Sequence, residues 1–431
     1  MRADFIVRNA GLLATLAGPA PRTGAALRDL GLRQGAALAA AQGRIVFVGP
    51  ERELAGLELA PDALELDAGG GAVLPGFVDA HTHLAFAGDR DDEIRRRLAG
   101  ASYQEIAAAG GGIVRSVAAT RAASREQLGS AIRARLDELL LCGTTTAEVK
   151  SGYGLETAAE LRSLEAIRDA AAVHPLGVVP TFLGAHEVPT EHRAQRGRYL
   201  EQLISEMIPE VARRGLARFC DVFCERGVFS VEESRRVLLA ARAHGLALRL
   251  HADELADSGA AALAAELGAR SADHLVFVSP QGIAALARSG CVATLLPAAA
   301  FYLRLGRFAP ARELIEAGAA VALASDANPG GGLSPSLPFA MTLACFGMGL
   351  ALEEALGAVT VNAACSLDLQ GELGSLEVGK RADLVVLRSP RLLELLRVGV
   401  AAIRAVVKDG RLVVREGRLL PPPAGAGQPG A

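Results

Sequence analysis

Between about residues 73 and 365 the chain alternates short apolar runs with longer amphipathic ones. The apolar runs fall at 73–80, 144–150, 176–185, 219–224, 246–252, 271–275, 291–297 and 320–326. Runs that stay apolar on both faces read as strands buried from both sides, as in a parallel sheet. Between them, stretches such as 125–141, 157–172, 230–244 and 280–289 carry their apolar residues at helical spacing. Eight strand–helix repeats predict an α/β fold, a (β/α)8 TIM-like barrel. A doubly wound open sheet shares the repeat and is the structural competitor. The barrel is favoured because unusual polar residues cluster just after the strands, at the end where a barrel carries its active site.

The two ends of the chain read differently. Short apolar runs at Phe5-Ile6-Val7, 37–41 and 44–49 are separated by Gly and Pro. The C-terminal part repeats the pattern at 382–387, 402–408 and 411–414, the last after an Asp409-Gly410 turn. Flanking β segments around a different middle predict a small β-sandwich domain built from residues 1–72 and 366–420. It encloses a barrel domain at 73–365. The Pro-, Gly- and Ala-rich tail, 421–431, is expected to be disordered.

Composition narrows the class. With 431 residues, 51% apolar and 22% charged, the chain suits a globular enzyme with one large and one small domain. A net charge of −3 without a long basic run argues against a nucleic-acid surface. The six cysteines form no Cys-x-x-Cys pair, which fits a reducing cytoplasm without disulfides. Asp4 stands where a signal peptide has its apolar core. No apolar run reaches the roughly 20 residues that span a bilayer. A cytoplasmic chain with a small-molecule partner, and neither nucleic acid nor membrane, is the expectation.

Candidate chemistry starts in Pro75-Gly76-Phe77-Val78-Asp79-Ala80-His81-Thr82-His83. Side chains two apart on a strand project the same way, so His81 and His83 converge as two metal ligands must. A lone His-x-His is more often a polar strand end; further ligands decide the matter. His251 closes the fifth predicted strand and Asp326 the eighth. Three imidazoles and one carboxylate at strand ends suit one zinc or iron ion and leave a position for water. His274 closes the sixth strand as a candidate to polarise a carbonyl, with a buried structural histidine as the rival reading. His186 follows the third strand. Lys150 ends the second; a Schiff base or carbamylated bridge ranks below a structural lysine, since the mononuclear set is already complete. Gly110-Gly111-Gly112 lacks the Gly-Lys-Ser/Thr of a phosphate loop and reads as a mobile loop over the barrel mouth. Phe301 and Tyr302 are expected either to wall the pocket or to pack in the core.

Pro75–His83, His251, Asp326 and the closing Gly379-Lys380-Arg381-Ala382-Asp383-Leu384 resemble the metal-dependent amidohydrolase superfamily. More narrowly, several stretches resemble the imidazolonepropionase family. These are 83–90, 110–113, Lys150-Ser151-Gly152-Tyr153-Gly154, 182–189, His251-Ala252-Asp253-Glu254 and Asp326-Ala327-Asn328-Pro329-Gly330. They run in order across nearly the whole chain. The resemblance implies that a metal-activated water opens the ring C–N bond of 4-imidazolone-5-propanoate. The product would be N-formimidoyl-L-glutamate, in L-histidine degradation. It further implies one divalent or trivalent ion, zinc or iron, on His81, His83, His251 and Asp326.

Carried over residue by residue, Arg90 meets the propionate, while Tyr153 and His186 line the ring and tail. Asn328, Gly330 and Gly331 contribute from the loop after the eighth strand. Glu254 bonds the ring nitrogen or the water, and Glu254, His274 and Asp326 share the catalytic roles. A homodimer is implied as well. One departure stands out: similar enzymes carry Ser or Thr where this chain has Gly331-Gly332. Arg90 also has a competing reading as a solvated residue of the acidic cluster 89–93. The alternatives are a heterocycle deaminase on the same scaffold, or a structural relative that has lost the metal.

Overall fold

The computed structural model describes residues 2–101, 105 and 111–421. The expected tail lies outside them apart from Pro421, as does Gly110 of the loop expected over the barrel mouth.

Eight strands run in sequence order around one sheet. They are Phe77–Asp79, Thr144–Lys150, Gly177–Ala185, Phe219–Cys224, Ala247–Ala252, Ser271–His274, Val292–Leu295 and Val321–Leu323. Every neighbouring pair is parallel. The segments following the first and last strands meet at a Thr82–Ala327 bridge. There the Asp326 N–H donates to the His81 carbonyl at 3.1 Å, and the His83 N–H to the Ala327 carbonyl at 2.9 Å. Asp79 reinforces the seam from within, accepting the Ser325 N–H at 3.0 Å and its hydroxyl at 2.5 Å. A doubly wound sheet reverses its strand order at a switch point. This order never reverses, so the fold is a (β/α)8 barrel.

Local sequence explains the elements. All seven residues of Thr144–Lys150 and all six of Phe219–Cys224 are buried, as strands of a parallel sheet covered on both faces are. The helix Arg125–Leu141 starts where Ser124 accepts the Gln127 N–H and Gln127 answers on the Ser124 N–H. Ser230 and Glu233 build the same box before Val231–Ala243.

Two further sheets draw on both chain ends. One runs Arg44–Pro50, Ala36–Ala41, Ala3–Arg8 and Leu59–Asp67. The other orders Arg418–Leu419, Arg411–Arg415, Ile403–Lys408, Leu384–Leu387, Ala72–Pro75, Leu12–Ala14 and Leu32–Arg33. Phe5, Leu38, Val73, Leu384 and Val407 share the apolar core between them. The predicted strand 73–80 proves to be two. Ala72–Pro75 pairs antiparallel with Leu384–Leu387, and Phe77–Asp79 enters the barrel. Gly76 makes the exchange possible, since a Cβ there would lie 2.3 Å from Thr145 Oγ1. The sequence pattern also misses Leu59–Asp67, whose side chains are mostly exposed and show no clean alternation.

Candidate active site

His81 and His83 leave the first strand on extended backbone, and His251 and His274 stand at the ends of the fifth and sixth. Asp326 follows the eighth in a left-handed conformation, φ 53°, and His274 shares that region at φ 78°. Such backbone is costly for residues with side chains and is held here by barrel packing around the pocket. The three ligand nitrogens converge. His81 Nε2 lies 3.1 Å from His83 Nε2, which lies 3.3 Å from His251 Nε2. Asp326 Oδ1 faces His81 and His83 Nε2 at 3.6 and 3.5 Å.

Two nitrogens bound at about 2.05 Å around a tetrahedral ion are roughly 3.3 Å apart, so these spacings match a shared ion. Asp326 Oδ1 is buried and has no hydrogen-bond partner among the described residues. An oxygen so placed is costly unless a cation meets it. Burial holds His81 and His83 well below the usual imidazole pKa, which keeps their lone pairs free. The donor set therefore fits a divalent metal.

Each outer imidazole nitrogen of the flanking pair meets a carboxylate. His81 Nδ1 lies 2.6 Å from Asp273 Oδ2, and His251 Nδ1 lies 3.0 Å from Asp221 Oδ2. A carboxylate on Nδ1 fixes the tautomer that presents Nε2 as a ligand. Neither acid was singled out from sequence, although Asp221 interrupts an otherwise apolar strand. Glu148, Lys150 and Arg249 join them. Lys150 Nζ sits 2.7 Å from Glu148 and 2.8 Å from Asp221, fully buried behind the histidines, so a Schiff-base role has no support.

The ligands His83, His251 and Asp326 open onto a pocket at the barrel mouth. Arg90, Tyr153, His186, Glu254, His274, Asn328, Gly330 and Gly331 line it. All the residues singled out for binding or catalysis thus come together at one end of the barrel. Arg90 is buried, and its Nε donates to Glu93 Oε2 at 2.8 Å, so it is not a solvated residue of its acidic cluster. Its guanidinium packs on Gly330, where a Cβ would lie 2.2 Å from Nη1. His186 stacks on His83 at 5.1 Å between ring centres, and its Nδ1 meets the Gly152 carbonyl at 2.9 Å. Burial, reinforced by His251, pushes its pKa down to about 3.

Asn328 Oδ1 accepts the Gly330 and Gly331 N–H groups at 2.8 and 2.6 Å, shaping the loop itself. Burial, then the charge of Asp326, raises the Glu254 carboxyl well above its ordinary range. Burial likewise raises Asp326, to about 7. Glu254 Oε1 faces His274 Nδ1 at 3.5 Å.

Phe301 and Tyr302 do not form the wall. Phe301 is half exposed, and Tyr302 faces a separate cavity beside Phe339; Leu303 lines the pocket instead. The short helix Pro297–Tyr302 turns both rings outward before the chain returns. The double glycine also resolves into two different positions. A Cβ on Gly332 would lie 1.5 Å from the Asp326 carbonyl oxygen, whereas one on Gly331 would meet Leu303 at an ordinary 3.4 Å.

The profile described as Amidohydrolase family matches residues 93–414. The chain is 54% identical over 419 residues to an imidazolonepropionase of Symbiobacterium thermophilum, covering 96% of this chain and 98% of that one. It is 42% identical over 422 residues to an imidazolonepropionase of Alkaliphilus metalliredigens, covering 97% and 100%. Among solved structures, a triazine hydrolase variant superposes with a TM-score of 0.73 at 17% identity, covering 96% of each chain. An adenosine deaminase from Xanthomonas campestris with bound zinc gives 0.70 at 18%, covering 97% and 94%. At such identities the structural matches speak for the fold alone. The chain belongs to the amidohydrolase family and, within it, to the imidazolonepropionases.

Proposed function

We propose that this hydrolase opens the ring of 4-imidazolone-5-propanoate to N-formimidoyl-L-glutamate, a step of L-histidine degradation. One zinc or iron ion would be held by His81, His83, His251 and Asp326. The observation that carries the reading is the meeting of three Nε2 atoms and the unpartnered Asp326 oxygen at the floor of a pocket containing a buried arginine. Such an ion supplies Lewis-acid chemistry and makes water acidic near neutrality. The barrel at 73–365 would carry the chemistry, framed by the sandwich of 1–72 and 366–420. The reading brings with it a cytoplasmic location and a homodimer, the latter checked by sedimentation.

The roles follow from charge and position. Arg90 pairs with the propionate, for which a guanidinium offers two parallel donors. Tyr153 and His186 flank the ring. Asp326, raised to about 7, is poised to accept the water proton and return it to the departing ring nitrogen. Burial raises the Glu254 carboxyl well above its ordinary range, and its Oε1 faces His274 Nδ1 at 3.5 Å. With Nδ1 turned to Glu254, His274 Nε2 is the atom that meets the carbonyl oxygen as charge develops there. Asn328 holds the loop that brings Gly330 and Gly331 to the ligand.

Incubating the metal-loaded protein with freshly generated 4-imidazolone-5-propanoate tests the reading. Loss of imidazolone absorbance with N-formimidoylglutamate identified by mass is expected. Release of ammonia instead would point to a deaminase, and absence of turnover with one ion bound would reject the substrate.

A further inference from the structure

Lys150 is as deeply buried as any side chain in the barrel, yet the reaction does not use it. Its ammonium lies 2.7 Å from Glu148, 2.8 Å from Asp221 and 4.0 Å from Asp273. Asp221 and Asp273 are the carboxylates that meet His251 and His81. His81, Asp221 and Asp273 present ligand atoms within 4.8 Å of one another, a spacing that itself suits a metal ion. The charges nearly balance. Three buried carboxylates face two cations, Lys150 and Arg249, whose Nη2 donates to Asp273 Oδ2 at 3.0 Å. The other oxygens are taken: Glu148 Oε2 accepts the Thr82 N–H at 3.1 Å, and Asp221 Oδ1 the His251 N–H at 3.1 Å. Asp273 Oδ1 accepts the Ser271 hydroxyl. An ammonium is a compact point charge with three donors, well suited to a cluster of acids.

We propose that Lys150 is a built-in counter-ion in the place of a second divalent metal, keeping the centre mononuclear and holding Asp221 against His251. It is a positioning residue, acting on the ion through Asp221. Removing its side chain leaves Glu148, Asp221 and Asp273 beside His81 with one buried cation fewer, a site of hard oxygens and one nitrogen that a second ion would fill. Replacing it with an uncharged chain of similar length fills the space without the charge. That variant admits no second ion and loosens the first by about 10–100-fold, the usual cost of losing a group that orients a metal ligand.

The proposal rests on the reading of the three histidines and Asp326 as the metal centre. The full chain, stripped by chelation and checked for folding by circular dichroism, is titrated with Co2+ while its visible and paramagnetic spectra are recorded. The wild type is expected to take up one equivalent. Lys150→Ala takes up two, the second altering the spectrum of the first by spin coupling. Lys150→Met takes up one, about 10–100-fold more weakly. Wild-type stoichiometry, affinity and spectrum in Lys150→Ala would overturn the proposal while leaving the metal centre standing. If Lys150→Ala does not fold, wild-type affinity in folded Lys150→Met overturns it equally. A wild type that binds no ion contradicts the metal centre itself.

Discussion

The floor of the site and its rim are built on different rules. On the floor, Glu148, Lys150, Asp221, Arg249 and Asp273 project from the second, fourth, fifth and sixth barrel strands, are fully buried, and set three carboxylates against two cations. His81 and His251 are each oriented from behind by a carboxylate that has its own partner, whereas His83 is held by stacking on His186. On the rim, Arg90 follows a strand end and Asn328, Gly330 and Gly331 sit on a loop, with polar atoms spent mostly on backbone. Rigid strands thus present the chemistry common to many ring-opening hydrolases, and short loops choose the ring. Damage to the floor should therefore cost metal and stability together, and damage to the rim should cost substrate affinity alone.

The largest break in that contrast comes from His251→Ala. Bound metal should fall below about a tenth of an equivalent and turnover with it, because three ligands remain where the ion needs four. Full metal content by elemental analysis would remove His251 from the centre. Arg249→Met strips a buried acid of its partner and should cost about 3–5 kcal/mol in denaturant unfolding. A loss below about 1 kcal/mol would mean that the floor charges are not structurally coupled. Arg90→Gln should raise KM by about 10–150-fold, the worth of one charged hydrogen bond at about 1.5–3 kcal/mol, with kcat little changed. A fall in kcat alone would assign Arg90 to the chemistry.

The pH dependence of metal binding sharpens the same line. Burial raises Asp326 to about 7, so it must shed a proton to ligate. His81 and His83 are held low and are already neutral. Metal affinity should drop about tenfold for each pH unit below about 7 and level off above it. An affinity flat from pH 5.5 to 7.5 would contradict Asp326 as a ligand. Smallest of all, Gly331→Ser should change stability by no more than about 0.5 kcal/mol, since its Cβ meets only Leu303. A large loss would show that the loop tolerates no side chain there.

The same contrast decides what could be read from sequence. The barrel strands were legible because most are buried runs rich in apolar residues, several with a histidine or an aspartate at or just beyond the end, as at His81, His186, His251, His274 and Asp326. Leu59–Asp67 was not, because an exposed strand carries no apolar period. The floor acids were visible only as single charges inside apolar runs. Asp221 looks the same on paper whether it meets His251 or starts a turn; pairing across strands alone gives it meaning. Arg90 was legible through resemblance, but its burial beside Glu93 uses space left by Gly330, more than two hundred residues away. Phe301 and Tyr302 were placed by proximity to a strand end, and a six-residue helix turned them away.

The most direct measurement is anomalous diffraction from crystals of the metal-loaded protein at the absorption edges of zinc and iron. One peak per chain is predicted, within about 2.0–2.2 Å of the Nε2 atoms of His81, His83 and His251 and of an Asp326 oxygen. A peak among Glu148, Asp221 and Asp273 instead, with Lys150 displaced, would contradict the account.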